Sequence, residues 1–232
     1  TTADIPSGTG LGSSSSFATG LLSCLHYMRD EVVSPIQLAE EACHVELEML
    51  SKPIGKQDQY AASFGGMNFL EFQKSGRIFI DHIWNQRLDI DELFHSFLLL
   101  WTGTQRKAES ILLSQRNSIQ ENKSILDEMK NMAIKLRNEI SKNSFNYKVL
   151  AKYLHEGWLY KRKLSSFISN PIIDNAYNIA LENGALGGKL LGAGGGGFLL
   201  LIVPPNKKEK LKSKLPEFYP LSIKHEPLGS RL

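Results

Sequence analysis

The stretch Ile5-Pro-Ser-Gly-Thr-Gly-Leu-Gly-Ser-Ser-Ser-Ser16 decides how this chain is read. It puts three glycines (Gly8, Gly10, Gly12), a proline and four consecutive serines directly ahead of an apolar helical pattern at Phe17, Leu21, Leu22 and Leu25. Glycine lets a backbone turn tightly and approach a ligand closely. Serines at a helix start cap its free N–H groups, and the helix dipole favours an anion at that end. The combination predicts a phosphate cradle in which successive backbone N–H groups converge on oxygen. The competing reading, a flexible Ser/Gly linker, fits poorly with an amphipathic helix that begins at once. No lysine follows the last glycine, so the loop is not a Walker A, and Ser13 stands where a dinucleotide fingerprint needs its third glycine.

The loop lies close to Thr1, so the sequence reads as opening in the middle of a domain. The 232 residues, 42% hydrophobic and 22% charged, have an ordinary globular composition with room for two modest domains. A formal net charge of +3 with dispersed Lys and Arg gives no footprint for nucleic acid. No apolar run approaches the roughly 20 residues of a membrane span. The two cysteines, Cys24 and Cys43, fall on amphipathic helices and read as reduced core or half-buried residues.

Outward from the loop, Ser13–Asp30 predicts a helix, and Ser34 with Pro35 starts another that runs to about Leu50. A short helix follows near Asp58. Met67–Phe72 and Ile78–Ile80 read as strands turned at Gly76, and Phe97–Thr102 reads as a buried strand. From Gln105 to Leu181 the period is helical, with breaks expected at Asn143, Gly157 and Pro171. Leu186–Leu191 and Phe198–Val203 predict strands joined by Gly-Ala-Gly-Gly-Gly-Gly; a Lys-rich helix and a final strand at Leu221–Lys224 follow. The layout is α+β without internal repeats. A boundary near Asp89–Phe97 gives an N-terminal domain over 1–92 and a C-terminal domain over 93–232.

Three pieces carry chemistry. The loop supplies amides and the hydroxyls of Ser13, Ser14 and Ser15, one of which can ligate Mg²⁺. Glu46 and Asp58 supply carboxylates, for a metal and for the proton of an attacking hydroxyl. The glycine run Gly194–Gly197 between two apolar strands demands a close backbone approach, either to a ligand or to another chain segment.

In this order the pieces resemble the second and third motifs of the GHMP kinases. The family pattern P-x-x-x-G-L-G-S-S is matched from Pro6 to Ser14, and its C-terminal glycine motif from Leu191 to Phe198. The stretches Ile54–Phe72 and Trp101–Leu112, with the closing Glu226–Leu232, are similar to the branch of that family acting on heptose 7-phosphate. The resemblance implies a two-domain α+β fold: an incomplete N-terminal α/β sandwich and a ferredoxin-like C-terminal domain with extra helices, with ATP in the cleft between them. It implies that Pro6, Gly8, Gly10, Leu11, Gly12, Ser13, Ser14, Ser15, Gly194 and Gly195 hold the nucleotide. Ser14 and Glu46 would hold Mg²⁺, and Asp58 would accept or orient the sugar proton. Gln57, Gln59 and Tyr60 would touch the sugar, and Arg106 would face a phosphate. The implied activity is ATP-dependent phosphorylation of D-glycero-D-manno-heptose 7-phosphate at its anomeric hydroxyl. The rivals are a fucose- or galactose-type kinase and a non-catalytic ligand sensor. A cytoplasmic enzyme is expected, with a sugar-phosphate substrate, no nucleic acid or membrane partner, and a homodimer as one open assembly. Family members carry a further motif ahead of this loop, so the stretch from Thr1 on its own is expected to be inactive.

Overall fold

A computed structural model describes residues 5, 8–83, 89–104 and 108–231. They form two compact units: residues 12–83 with 225–231, and residues 8–11 with 89–224. The expected nucleotide residue Pro6 and the expected phosphate-facing Arg106 lie outside the described residues.

The first unit is mostly helical. Helix α1 (Ser13–Tyr27) leads to α2 (Pro35–Cys43), where Ser34 accepts from the Gln37 amide and Pro35 occupies the first turn. The chain stays helical past Cys43 but widens into a π-helical turn over His44–Met49. Such turns recur at functional sites, and this one carries Glu46. Helix α3 (Gln57–Phe64) follows, then the antiparallel hairpin of β1 (Asn68–Phe72) and β2 (Ile78–His82), in register Phe72 to Ile78 and Asn68 to His82. Ala39, Cys43 and Tyr60 form a small core, backed by Leu47, Phe64, Leu70, Ile78 and Ile80. The chain's closing segment returns to this unit. The Glu226 carbonyl accepts from the Gly66 amide, and the Ser230 amide donates to the Ala62 carbonyl at 2.8 Å. The Ser230 hydroxyl reaches Thr19 at 2.9 Å. The tail thereby braces α3 and α1 together.

The second unit holds the larger core. It runs through α4 (Ile90–Ser96), capped by Asp89, then β3 (Phe97–Trp101), α5 (Ala108–Asn117), α6 (Lys123–Ile140), α7 (Tyr147–Lys163) and α8 (Pro171–Glu182). Next come β4 (Gly187–Leu190), β5 (Phe198–Ile202), α9 (Lys208–Lys212) and β6 (Tyr219–Leu221). The four strands form one antiparallel sheet in the order β4-β5-β3-β6. Strand, helices, strand, strand, helix, strand in that spatial order is the ferredoxin-like arrangement. Leu98, Leu100, Leu190, Leu199 and Leu201 from the sheet pack with Trp158, Ile168, Ile173 and Tyr177 from the helical layer. Asn146 and Asn170 cap α7 and α8 through their side-chain oxygens, and Pro171 opens α8.

Several expectations need correction. Gly157 does not break a helix; α7 runs through it, where it faces Met132 of α6 with ordinary room for a side chain. The break falls instead over residues 118–122, where the Asn122 amide group is spent on the Leu164 carbonyl. The last strand is Tyr219–Leu221, not Leu221–Lys224; it lies at a sheet edge, where Pro220 loses no ladder bond. Cys43 is buried as expected, but Cys24 is exposed. Among the described residues no helix is long and apolar enough to cross a membrane.

Candidate functional site

The loop takes the conformation that its glycines permit. Gly8, Gly10 and Gly12 have φ of 76°, 83° and 70°. Among the described residues only Asp30 and Ser51 are non-glycine positions with positive φ, so Thr9 and Leu11 between them are right-handed or extended. Alternation of hand along a backbone turns consecutive N–H groups toward one point, which makes an anion-binding concavity. The helix that follows adds its own unpaired first-turn amides and the positive end of its dipole.

The serine caps are not as expected. Gly12, in the left-handed region, is the residue ahead of α1, and no serine side chain caps the helix. The hydroxyls point elsewhere. Ser14 Oγ donates to Glu46 Oε1, and Ser15 Oγ donates to Glu46 Oε2 at 2.8 Å. Gln59 Nε2 donates to Oε2 at 2.7 Å, and Lys52 Nζ donates to Oε1 at 3.0 Å and to Ser14 Oγ at 2.7 Å. Glu46 is 1% exposed. Burial resists ionisation of this carboxyl, but the donors from Ser14, Lys52, Ser15 and Gln59 outweigh it and hold the group below the usual carboxylate range.

Asp58 sits in the first turn of α3 beside the same junction. A Cβ on Gly12 would lie 3.7 Å from its Cγ, so the carboxylate faces the start of α1. Helical geometry divides the work of neighbouring residues: Asp58 is exposed, whereas Gln59 is turned inward onto Glu46. Gln59 is therefore a support for Glu46 and not a sugar contact. Tyr60 is likewise no sugar contact: it is 1% exposed, stacks with Phe64, meets Phe72 edge-on, and burial pushes its hydroxyl up to about 12. Gln57 remains exposed. Lys52 went unread in the sequence; in Leu-Ser-Lys-Pro it looks like a solvated charge. Its signal is position, just past the helix that bears Glu46.

Within the second unit, the early part of the loop backs onto the late glycine hairpin. A Cβ on Gly192 would stand 2.5 Å from Gly10 Cα, and one on Gly10 would stand 2.9 Å from the Leu191 carbonyl. Gly197 is similarly closed off by the Thr9 carbonyl at 2.3 Å. The two glycine motifs are mutually fitted surfaces that exclude side chains. Gly194 and Gly195 have a different neighbour. The Gly195 amide donates to the Ile168 carbonyl at 2.9 Å, and a Cβ on Gly194 would meet Ile168 at 2.8 Å. Both glycines thus have a packing partner in Ile168.

The residues expected to hold Mg²⁺ pass a chemical test. Ser14 Oγ and Glu46 Oε1 are hard oxygens that already converge on one positive charge, the Lys52 ammonium.

Two sequence profiles match the chain: "GHMP kinases N terminal domain" over residues 1–66 and "GHMP kinases C terminal" over residues 139–221. The chain belongs to the GHMP kinase family. It is 33% identical over 196 residues to the D-glycero-alpha-D-manno-heptose 7-phosphate kinase of Campylobacter jejuni, covering 84% of this chain and 57% of that protein. It is 32% identical over 124 residues to the galactokinase of Pyrococcus furiosus, covering 52% of this chain and 32% of that one. Among solved structures, a D-glycero-D-manno-heptose 1-phosphate kinase from Bacteriodes thetaiotaomicron superposes with a TM-score of 0.71 at 27% identity, covering 97% of this chain and 64% of that one. The chain thus spans less than two thirds of each of these GHMP kinases or named relatives.

Proposed function

We propose that this chain is the larger part of an ATP-dependent sugar kinase that phosphorylates the anomeric hydroxyl of D-glycero-D-manno-heptose 7-phosphate. The observation that carries the reading is the convergence of Ser14, Glu46 and Asp58 at the point where the left-handed Gly12 enters α1. The named relatives support the sugar class. In this reading the amides from Gly8 to Ser15 bind phosphate oxygens. Ser14 and Glu46 are the residues that would hold Mg²⁺, and Lys52, bonded to both, would add positive charge beside them. When bound, ATP would supply the phosphoryl group and Mg²⁺ would supply positive charge to offset the charge on it. Asp58, unburdened by burial, accepts or orients the proton of the attacking hydroxyl. Ser15 and Gln59 keep Glu46 ionised and fixed. Much of the acceleration then comes from positioning and charge. A cytoplasmic setting and a sugar-phosphate partner belong to the same proposal.

The test is transfer of labelled γ-phosphate from ATP to heptose 7-phosphate, galactose and fucose. The reading expects heptose 7-phosphate to have the highest kcat/KM, and Asp58→Ala to lose about 100-fold or more in kcat. Equal use of galactose would favour the galactokinase-type alternative. Wild-type turnover in Asp58→Ala would end the assignment of the base.

A further inference from the structure

Helix α7 ends on three consecutive cations, Lys161, Arg162 and Lys163. Positive charge in a last turn suits the helix dipole, but dipole alone does not decide where each side chain goes. Arg162 pairs with Asp174 at 2.9 Å, and Lys163 lies 5.2 Å over the Tyr160 ring. Lys161 is different: half-buried, it donates to the Gly192 carbonyl and, among the described residues, has no carboxylate partner. Gly192 is the residue whose backbone abuts Gly10 of the loop. The amine is therefore parked one peptide away from the anion cradle. Lys189 of β4 bears on it with a like charge.

A lysine in such a place is expensive unless an anion arrives. An ammonium has three donors, and here one of them goes to a carbonyl, in a half-buried setting beside another cation. Burial and the charge of Lys189 push the Lys161 amine down to about 7, the state of a group that lacks its counter-ion. Its four-carbon stem is flexible, and the Gly192 carbonyl that it bonds belongs to the residue packed on Gly10 of the loop.

We propose that Lys161 is a phosphate-binding residue, which leaves the Gly192 carbonyl to contact a phosphoryl oxygen of the ligand held at the Gly8–Gly12 turn. The inference rests on the reading of that turn as a phosphate cradle. The phosphoryl group belongs either to the nucleotide or to the phosphorylated sugar, and binding experiments separate the two.

The experiment is calorimetric titration of the protein with ADP, adenosine, heptose 7-phosphate and the unphosphorylated heptose, for wild type, Lys161→Met and Lys161→Arg. Loss of one charge-assisted contact to phosphate predicts at least about a 10-fold weaker Kd for one phosphorylated ligand in Lys161→Met. Adenosine and free heptose should bind as before, which a general loosening of the fold would not allow. Lys161→Arg keeps the charge and should stay within about 3-fold of wild type. A defect confined to ADP assigns the contact to the nucleotide, and one confined to heptose 7-phosphate assigns it to the acceptor. If Lys161→Met does not fold, Lys161→Gln, which can still donate a hydrogen bond, replaces it. Wild-type affinity for both phosphorylated ligands in the neutral variant overturns the proposal. Failure of the wild-type protein itself to bind either one refutes the cradle reading beneath it.

Discussion

Replacing Glu46 by alanine removes the acceptor that four side chains share. Ser15 is 3% exposed and Gln59 is 0% exposed, so neither donor can turn to solvent once the carboxylate is gone. Each buried donor left unsatisfied costs about 1–3 kcal/mol. Ser14 is exposed and Lys52 half-buried, so water can replace their lost bonds and they add little. The expected destabilisation is therefore about 2–6 kcal/mol, on the order of 10 °C in melting temperature for a chain of this size. Glu46→Gln keeps one oxygen for Ser15 or Gln59 but turns an NH₂ toward Ser14 and Lys52, so its cost should be smaller. The dependence on pH has a fixed sign. The Glu46 carboxyl is held below 4.5, so its stabilisation is complete above that value and is lost as pH falls through the lower folded-state range. Thermal melts and urea titrations of wild type, Glu46→Gln and Glu46→Ala at neutral pH measure the effect. An alanine variant that melts within about 1 °C of wild type would refute the view that Glu46 organises the junction.

The glycines offer a contrast at matched φ. Gly192→Ala drives a methyl to 2.5 Å from Gly10 Cα and should cost several-fold more in stability than Gly8→Ala, whose added methyl meets nothing within 4 Å and carries only the roughly 1–2 kcal/mol of left-handed backbone strain; denaturant midpoints read the difference. His26 bonds Glu41 and Glu31, and these acceptors raise its pKa above 6.5. Its contribution is thus full below that value and lost as pH rises through the raised one, so His26→Ala should flatten the change in stability above pH 6.5, read by melting across pH. Tyr60→Phe should leave the KM for sugar unchanged, whereas Tyr60→Ala should cost about 3–5 kcal/mol in denaturant titration, because the ring is core and not a ligand contact.

What was legible in the sequence follows from local physics. The apolar runs at Phe97 and Phe198 could only be buried strands, and they pair directly, Trp101 opposite Phe198 and Phe97 opposite Ile202. The loop was readable because three glycines at alternate positions leave few conformations other than a turn lined with amides. Helix ends marked by Ser34 and by Pro171 could be read because each signal is contained in two or three residues. Tertiary choices could not. Gly157 looks like a breaker but lies inside α7, and the interruption near Asn122 is tied to a carbonyl more than forty residues away, that of Leu164. The same holds for the site. The Glu46 and Asp58 expectations rest on their place in a motif, whereas the burial of Gln59 and Tyr60 was not legible, because within a single turn of α3 Asp58 faces outward and the next two residues face the interior. Lys52 was missed because only folding carries its ammonium onto Glu46 and Ser14.

The central claim is that the glycine-serine turn receives phosphate on its backbone amides. Amide-resolved NMR of the protein, titrated with MgADP, tests it directly. The account predicts large, saturable shifts at Gly8, Gly10, Gly12, Ser13 and Ser14, with smaller ones at Gly192. Saturating nucleotide that moves other amides and leaves these five unchanged would contradict it.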